Sequence, residues 1–69
     1  MHPILEYLLE THDPEWRSEM DSDLGLHIYN PVISNDFGFY LTENDSMYLS
    51  TLTEGLEDEL EAFLESHCR

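Results

Sequence analysis

The sequence predicts an α+β fold: a small three-stranded antiparallel meander with N- and C-terminal helices packed on one face. Three observations predict it. Apolar residues recur at helical spacing over Ile4 to Leu9, at a period of two between residues 24 and 52, and at helical spacing again from Leu52 to Leu64. No long-period repeat, linker or low-complexity tract divides the chain, so residues 1–69 are read as one acidic globular domain.

The first helix follows from Pro3, which suits the first helical position, and from Ile4, Leu5, Leu8 and Leu9, with Glu6 and Glu10 opposite them. It should stop near Thr11 or His12, because Asp13 precedes Pro14 and is pushed out of the α region. Asp13 then reads as an N-cap for a short second helix from Pro14 to about Met20, with Trp16 and Met20 on one face. That helix is weak, since Glu15 and Glu19 repel at i,i+4.

Three strands come next. Leu24, Leu26 and Ile28 alternate with Gly25, His27 and Tyr29; Phe37, Phe39 and Leu41 alternate with Gly38 and Tyr40; Met47, Leu49 and Thr51 alternate with Tyr48, Ser50 and Leu52. Pro31 makes the first of these an edge strand. Two-residue turns at Asn35-Asp36 and Asn44-Asp45 place Ile33 opposite Gly38 and Tyr40 opposite Leu49. In that register Ile28, Val32, Phe39, Leu41, Tyr48 and Leu52 face the helices. Tyr29, Ile33, Tyr40, Met47 and Leu49 form the other face, a candidate contact surface for a homodimer or a target.

The last helix spans about Thr53 to His67, on a stripe of Leu52, Leu56, Leu60, Phe63 and Leu64. Thr51 and Thr53 are both candidate N-caps, and Thr51 with Glu54 has capping-box spacing.

Charge dominates the functional reading. Sixteen Asp and Glu stand against two Arg, with no Lys, for a formal net charge of −14. Small designed domains carry a net magnitude of about 2–8, and the excess here repels itself. Such a polyanion is repelled by nucleic acid and by anionic membranes, so direct binding to either is excluded. On a helical wheel Glu54, Glu57, Asp58, Glu61 and Glu65 share the outer side of the last helix. They span about 16 Å of axis, a charge every ~4 Å, close to the ~3.4 Å of one DNA strand. Glu15, Glu19, Asp21 and Asp23 form a second acidic group that extends the field if the fold brings it alongside.

Catalytic chemistry is not indicated. His2, His12, His27 and His67 lack zinc-ligand spacing, and no calcium loop, phosphate-binding Gly-rich loop or nucleophile motif is present. No metal or cofactor is expected. Cys68 is the single cysteine, which suits a reducing compartment, and no signal peptide or membrane span is legible. A cytoplasmic location follows, the host cytoplasm if the chain is phage-encoded.

Small size, absence of Lys and absence of catalytic groups resemble the phage-encoded nucleic-acid mimics, a class that includes anti-CRISPR, anti-restriction and repair-inhibitor proteins. The resemblance is one of type and assigns no residue roles. It implies an inhibitor or modulator that binds a basic, nucleic-acid-binding protein. An immunity-type or regulatory protein that neutralises a basic toxin or enzyme without mimicry is the alternative. A small structural protein of a halophile is a third reading, and it predicts collapse at low salt.

Overall fold

Helix α1 runs over Pro3–Thr11, as its apolar spacing and Pro3 predict. The His2 side chain caps it: Nδ1 accepts the Ile4 N–H at 3.1 Å. The computed structural model describes all 69 residues. After α1 come β1 (Arg17–Asp21), β2 (Gly25–Tyr29), β3 (Gly38–Leu41), β4 (Met47–Tyr48) and α2 (Glu54–His67). The fold is α+β, with a helix near each end of the chain and an antiparallel sheet of four strands in the order β1-β2-β3-β4.

The extra strand is β1, which replaces the short helix expected over Pro14–Met20. Asp13 does not cap a helix. Its carboxylate accepts the Glu15 N–H at 2.8 Å in a tight turn that delivers the chain to the sheet edge. Trp16 and Met20 then part company: Trp16 is 4% exposed in the core and Met20 is 71% exposed on the edge strand. Arg17, Glu19 and Asp21 alternate with Ser18 and Met20, which is a strand period, and β1 pairs with β2 along its whole length. The β1–β2 turn is closed by Asp21, whose carboxylate accepts the N–H groups of Asp23 at 2.8 Å and Leu24 at 2.9 Å. Gly25 follows at φ 97°, a conformation that side chains resist, and a Cβ there would lie 2.5 Å from Leu41 O.

Both turns around β3 depart from the two-residue expectation. Residues Asn30 to Phe37 form one long connection, so Tyr29 pairs with Gly38. Asn30 is fully buried and organises it: Oδ1 accepts the Val32 and Ile33 N–H groups, and its own N–H donates to Phe37 O. Val32 and Ile33 are therefore exposed loop residues, neither core nor sheet face. Between β3 and β4 the loop is one residue longer than expected. Asp45 takes φ 58°, its N–H donates to Thr42 O, and the Thr42 N–H donates to Ser46 O. That residue shifts the register by one, so Tyr40 pairs with Tyr48 and Leu41 with Met47. A one-residue slip exchanges the faces of a strand. Met47 thus packs against the core and Tyr48 stands on the open face. Leu49 lies beyond the strand at φ 50° and is 59% exposed.

Helix α2 starts where expected. Thr53 is its N-cap, accepting the Leu56 N–H at 3.4 Å. Thr51 is not. Its hydroxyl donates to Asp36 O at 2.6 Å and accepts the Gly38 N–H at 2.9 Å, clamping the segment before α2 to the start of β3. Ile4, Leu5 and Leu8 from α1, Trp16, and Leu60 and Leu64 from α2 join Ile28, Phe39 and Leu41 in the core. Each fully buried side chain of this kind stabilises the fold by about 1.5–3 kcal/mol. Both helices pack on this one sheet face, and no helix is long and apolar enough to cross a membrane.

Candidate interaction surface

Antiparallel register builds the open face of the sheet directly. Glu19, His27, Tyr40 and Tyr48 are successive partners across the four strands, so their side chains form one row perpendicular to the strands. With strands about 4.8 Å apart, the row is about 14 Å long. Its rings touch. His27 and Tyr40 stack with centroids 4.3 Å apart, and Tyr40 and Tyr48 lie 5.9 Å apart. Tyr29 joins from the next position on β2, stacked on His27 at 4.7 Å. The Tyr48 hydroxyl donates to Leu24 O across the sheet end. None of these four rings belongs to the core cluster, and each is half-buried only.

Of the five residues expected on this face, Tyr29 and Tyr40 are there. Met47 is on the core side, Ile33 is in the Asn30–Phe37 connection, and Leu49 sits past the end of β4. His27 and Tyr48 complete the row in their place. The alternation of His27 with Ile28 carries the first; the second needed the loop length set by Asp45.

The acids divide into two groups. Arg17 and Glu19 share the open face, as partners of Tyr29 and His27, and Asp21 is the partner of Gly25 on the same side. Glu15 meets Arg17 Nη2 at 3.5 Å, and Asp23 occupies the β1–β2 turn. Hydrogen bonds from the N–H groups of Asp23 and Leu24 hold the Asp21 carboxyl below the usual carboxylate range. At the far edge, Glu57 and Glu61 border a shallow hollow with Met47, Tyr48, Leu49 and Ser50. Glu61 also takes the Arg69 guanidinium at 3.1 Å. Glu54, Asp58 and Glu65 are exposed on the outer side of α2. The β1 group therefore does not lie alongside α2: the sheet order puts β1 at the opposite edge from β4, with the aromatic row between.

Glu59 points elsewhere. It accepts the Tyr7 hydroxyl and meets His12 Nε2 at 2.8 Å, tying α1 to α2. Those bonds lower the Glu59 carboxyl and raise the Tyr7 phenol from their ordinary values. Tyr7 also stacks on Phe63 at 4.5 Å, and Phe63 on His67 at 4.4 Å.

One mixed cluster was not legible in the sequence. His2, Asp45 and Cys68 bring donor atoms within 4.8 Å of one another, from the cap of α1, the β3–β4 loop and the end of α2. Its hydrogen bonding is already complete as a cap. The Ile4 N–H can only donate, so His2 Nδ1 accepts and the ring proton sits on Nε2, which donates to Asp45 Oδ1 at 2.7 Å. Neither nitrogen has a lone pair free for a metal or for the Cys68 thiol in this arrangement. Burial, followed by the nearby Asp45 charge, raises the Cys68 thiol above its ordinary value.

Comparison of the chain with protein families, with characterised proteins and with solved structures finds no match.

Proposed function

We propose that this chain is a small acidic inhibitor or modulator that binds the basic, nucleic-acid-binding surface of a protein target. In this reading it acts as phage-type anti-CRISPR, anti-restriction and repair-inhibitor mimics do, in the compartment of its target, without catalysing a reaction. The observation that carries it is the disposition of unneutralised charge. Four of the 16 acids sit in ion pairs, two with His and two with the only Arg residues, and the other twelve have no cationic partner within the chain. Keeping that repulsion costs stability that mixed surface charge would relieve, which favours a partner that supplies the missing cations. Glu54, Asp58 and Glu65 offer exposed carboxylates along one helix side, and the β1 acids offer a second set.

The test is parallel capture with the native chain and with a Glu54→Lys, Asp58→Lys, Glu65→Lys variant, eluting first with salt and then with duplex or single-stranded nucleic acid. Basic nucleic-acid-binding proteins should be held by the native chain, released by both eluents and missed by the variant. Retention of the same proteins by the variant, or enrichment of proteins with no basic surface, contradicts the proposal. Release by salt but not by nucleic acid selects the immunity-type alternative, neutralisation without mimicry.

A further inference from the structure

We infer that the free edge of β1 takes an extended segment of the basic target as an added antiparallel strand, with basic residues at alternate positions set against Glu19 and Asp21. The inference deepens the proposed function and rests on it, since it assumes a basic protein partner and adds which backbone receives it and in what register.

The pairing of the sheet determines which backbone groups face outward. The Asn30 N–H donates to Phe37 O in continuation of the β2–β3 register, so Ile28 and Leu26 direct their N–H and C=O groups to β3. These groups alternate along a strand, so Tyr29, His27 and Gly25 bond to Arg17, Glu19 and Asp21 of β1. The N–H and C=O groups of Ser18 and Met20 then point away from the sheet, where no strand follows β1. Both residues are exposed, Met20 at 71%, so neither helix covers this edge. The opposite edge, β4, is only two residues long. β1 also lacks the usual guards of an open edge: it pairs residue for residue without a bulge, and it holds no Pro or Lys.

Charge selects the occupant. A residue set against Glu19 forms the non-hydrogen-bonded type of pair, the closer of the two antiparallel spacings at about 4.5 Å between Cα atoms. Glu19 has no ion-pair partner within the chain, and Asp21 closes its turn through Oδ1 alone. Cations at those two positions are the complement, with an apolar residue between them to cover Met20. Arg17 repels a third cation and ends the basic run. A second copy of the chain fits less well. Self-pairing centred on Glu19 or on Met20 sets acid against acid. Self-pairing centred on Ser18 sets Arg17 against Glu19, but it brings together two bodies of charge −14.

The test measures binding of labelled peptides by fluorescence anisotropy at low salt. The parent peptide carries the run Lys-Val-Lys-Thr-Thr, which read antiparallel sets its lysines against Asp21 and Glu19 and its Val against Met20. Two relatives of the same charge each add one backbone N-methyl group. On Val it removes an N–H that faces β1; on the Lys set against Glu19 it removes one that faces solvent. The native chain should bind the parent, lose on the order of tenfold with the Val methyl, and stay within about threefold with the Lys methyl. Met20→Pro keeps the net charge and the β1–β2 ladder, because the Met20 N–H points outward, and should bind the parent as weakly as the native chain binds the Val-methylated peptide. Thermal melts check that this variant folds, and the two methylated peptides carry the test if it does not. Equal effects of the two methyl groups, or undiminished binding by folded Met20→Pro, overturn strand addition and leave the proposed function standing. A chain that captures basic proteins but does not bind the parent peptide overturns strand addition alone; failure of both measurements overturns both. A homodimer of the native chain that Met20→Pro dissociates would show that a second copy occupies the edge, and overturns strand addition too.

Discussion

The His27 and Tyr40 rings face each other across β2 and β3 with centroids 4.3 Å apart and planes within 10° of parallel. The pair is the centre of the aromatic row and ties the two inner strands together. Cross-strand aromatic pairs contribute about 0.5–1.5 kcal/mol beyond their buried area. A double-mutant cycle with His27→Ala and Tyr40→Ala should therefore give a coupling in that range by chemical denaturation. Additive single effects would show that the rings are neighbours without being partners.

Leu49 combines a left-handed backbone at φ 50° with high exposure. An L-residue pays about 1–2 kcal/mol for that conformation, and Asn tolerates it. Leu49→Asn should raise stability by about 1 kcal/mol, a gain of about 4–8 °C in Tm for a domain of this size. A fall in Tm would mean that the Leu49 side chain packs more than its exposure indicates.

Glu59 links stability to pH through Tyr7 and His12. Its folded carboxyl is held low, by the Tyr7 hydroxyl first and His12 second, so its contribution is present above the ordinary Glu range. It is lost as pH falls through the lowered folded value. Tyr7 is raised by the same bond, so that contribution holds below the ordinary Tyr value and is lost as pH rises through the raised one. Both groups are solvent-accessible, and the net effect of Glu59→Gln at neutral pH is on the order of 1 kcal/mol or less. The stability gap between native chain and variant should be widest near neutrality and close at acid pH. A gap independent of pH would remove Glu59 from the α1–α2 link.

Self-repulsion of the twelve unpaired acids predicts a Tm that rises with salt from a protein already folded at low salt. A flat Tm would mean that the acids are not crowded. Unfolding at low salt would favour the halophile reading.

Much of this was legible in the sequence because the core is local and periodic. Ile4, Leu5 and Leu8, and likewise Leu60 and Leu64, declare their helices by spacing, and Ile28, Phe39 and Leu41 declare the inner sheet face by alternation. What was not legible turned on single side chains that compete with the backbone. Asp13 before Pro14 reads as a helix cap, yet its carboxylate closes a turn at Glu15, and the charged alternation of Arg17, Glu19 and Asp21 was the strand signal. Asp45 in a left-handed conformation adds one residue to a loop and so exchanges Tyr48 for Met47 on the open face. The acidic array on α2 follows from the wheel, whereas its separation from the β1 acids depends on a strand order that no local pattern encodes.

The central claim is that binding depends on where the acids lie and not on net charge alone. The direct measurement is oligoarginine affinity, across a salt series, for two variants of equal charge. One carries Glu54→Lys, Asp58→Lys and Glu65→Lys on α2; the other carries Glu6→Lys, Glu10→Lys and Glu43→Lys, exposed positions outside both acidic groups. Each reversal adds two charges, so both variants move from −14 to −8. The account predicts that the α2 variant loses at least tenfold in affinity and flattens the salt dependence, while the control stays within about threefold of the native chain. Equal losses in the two variants would contradict it, leaving the acids a diffuse solubilising charge.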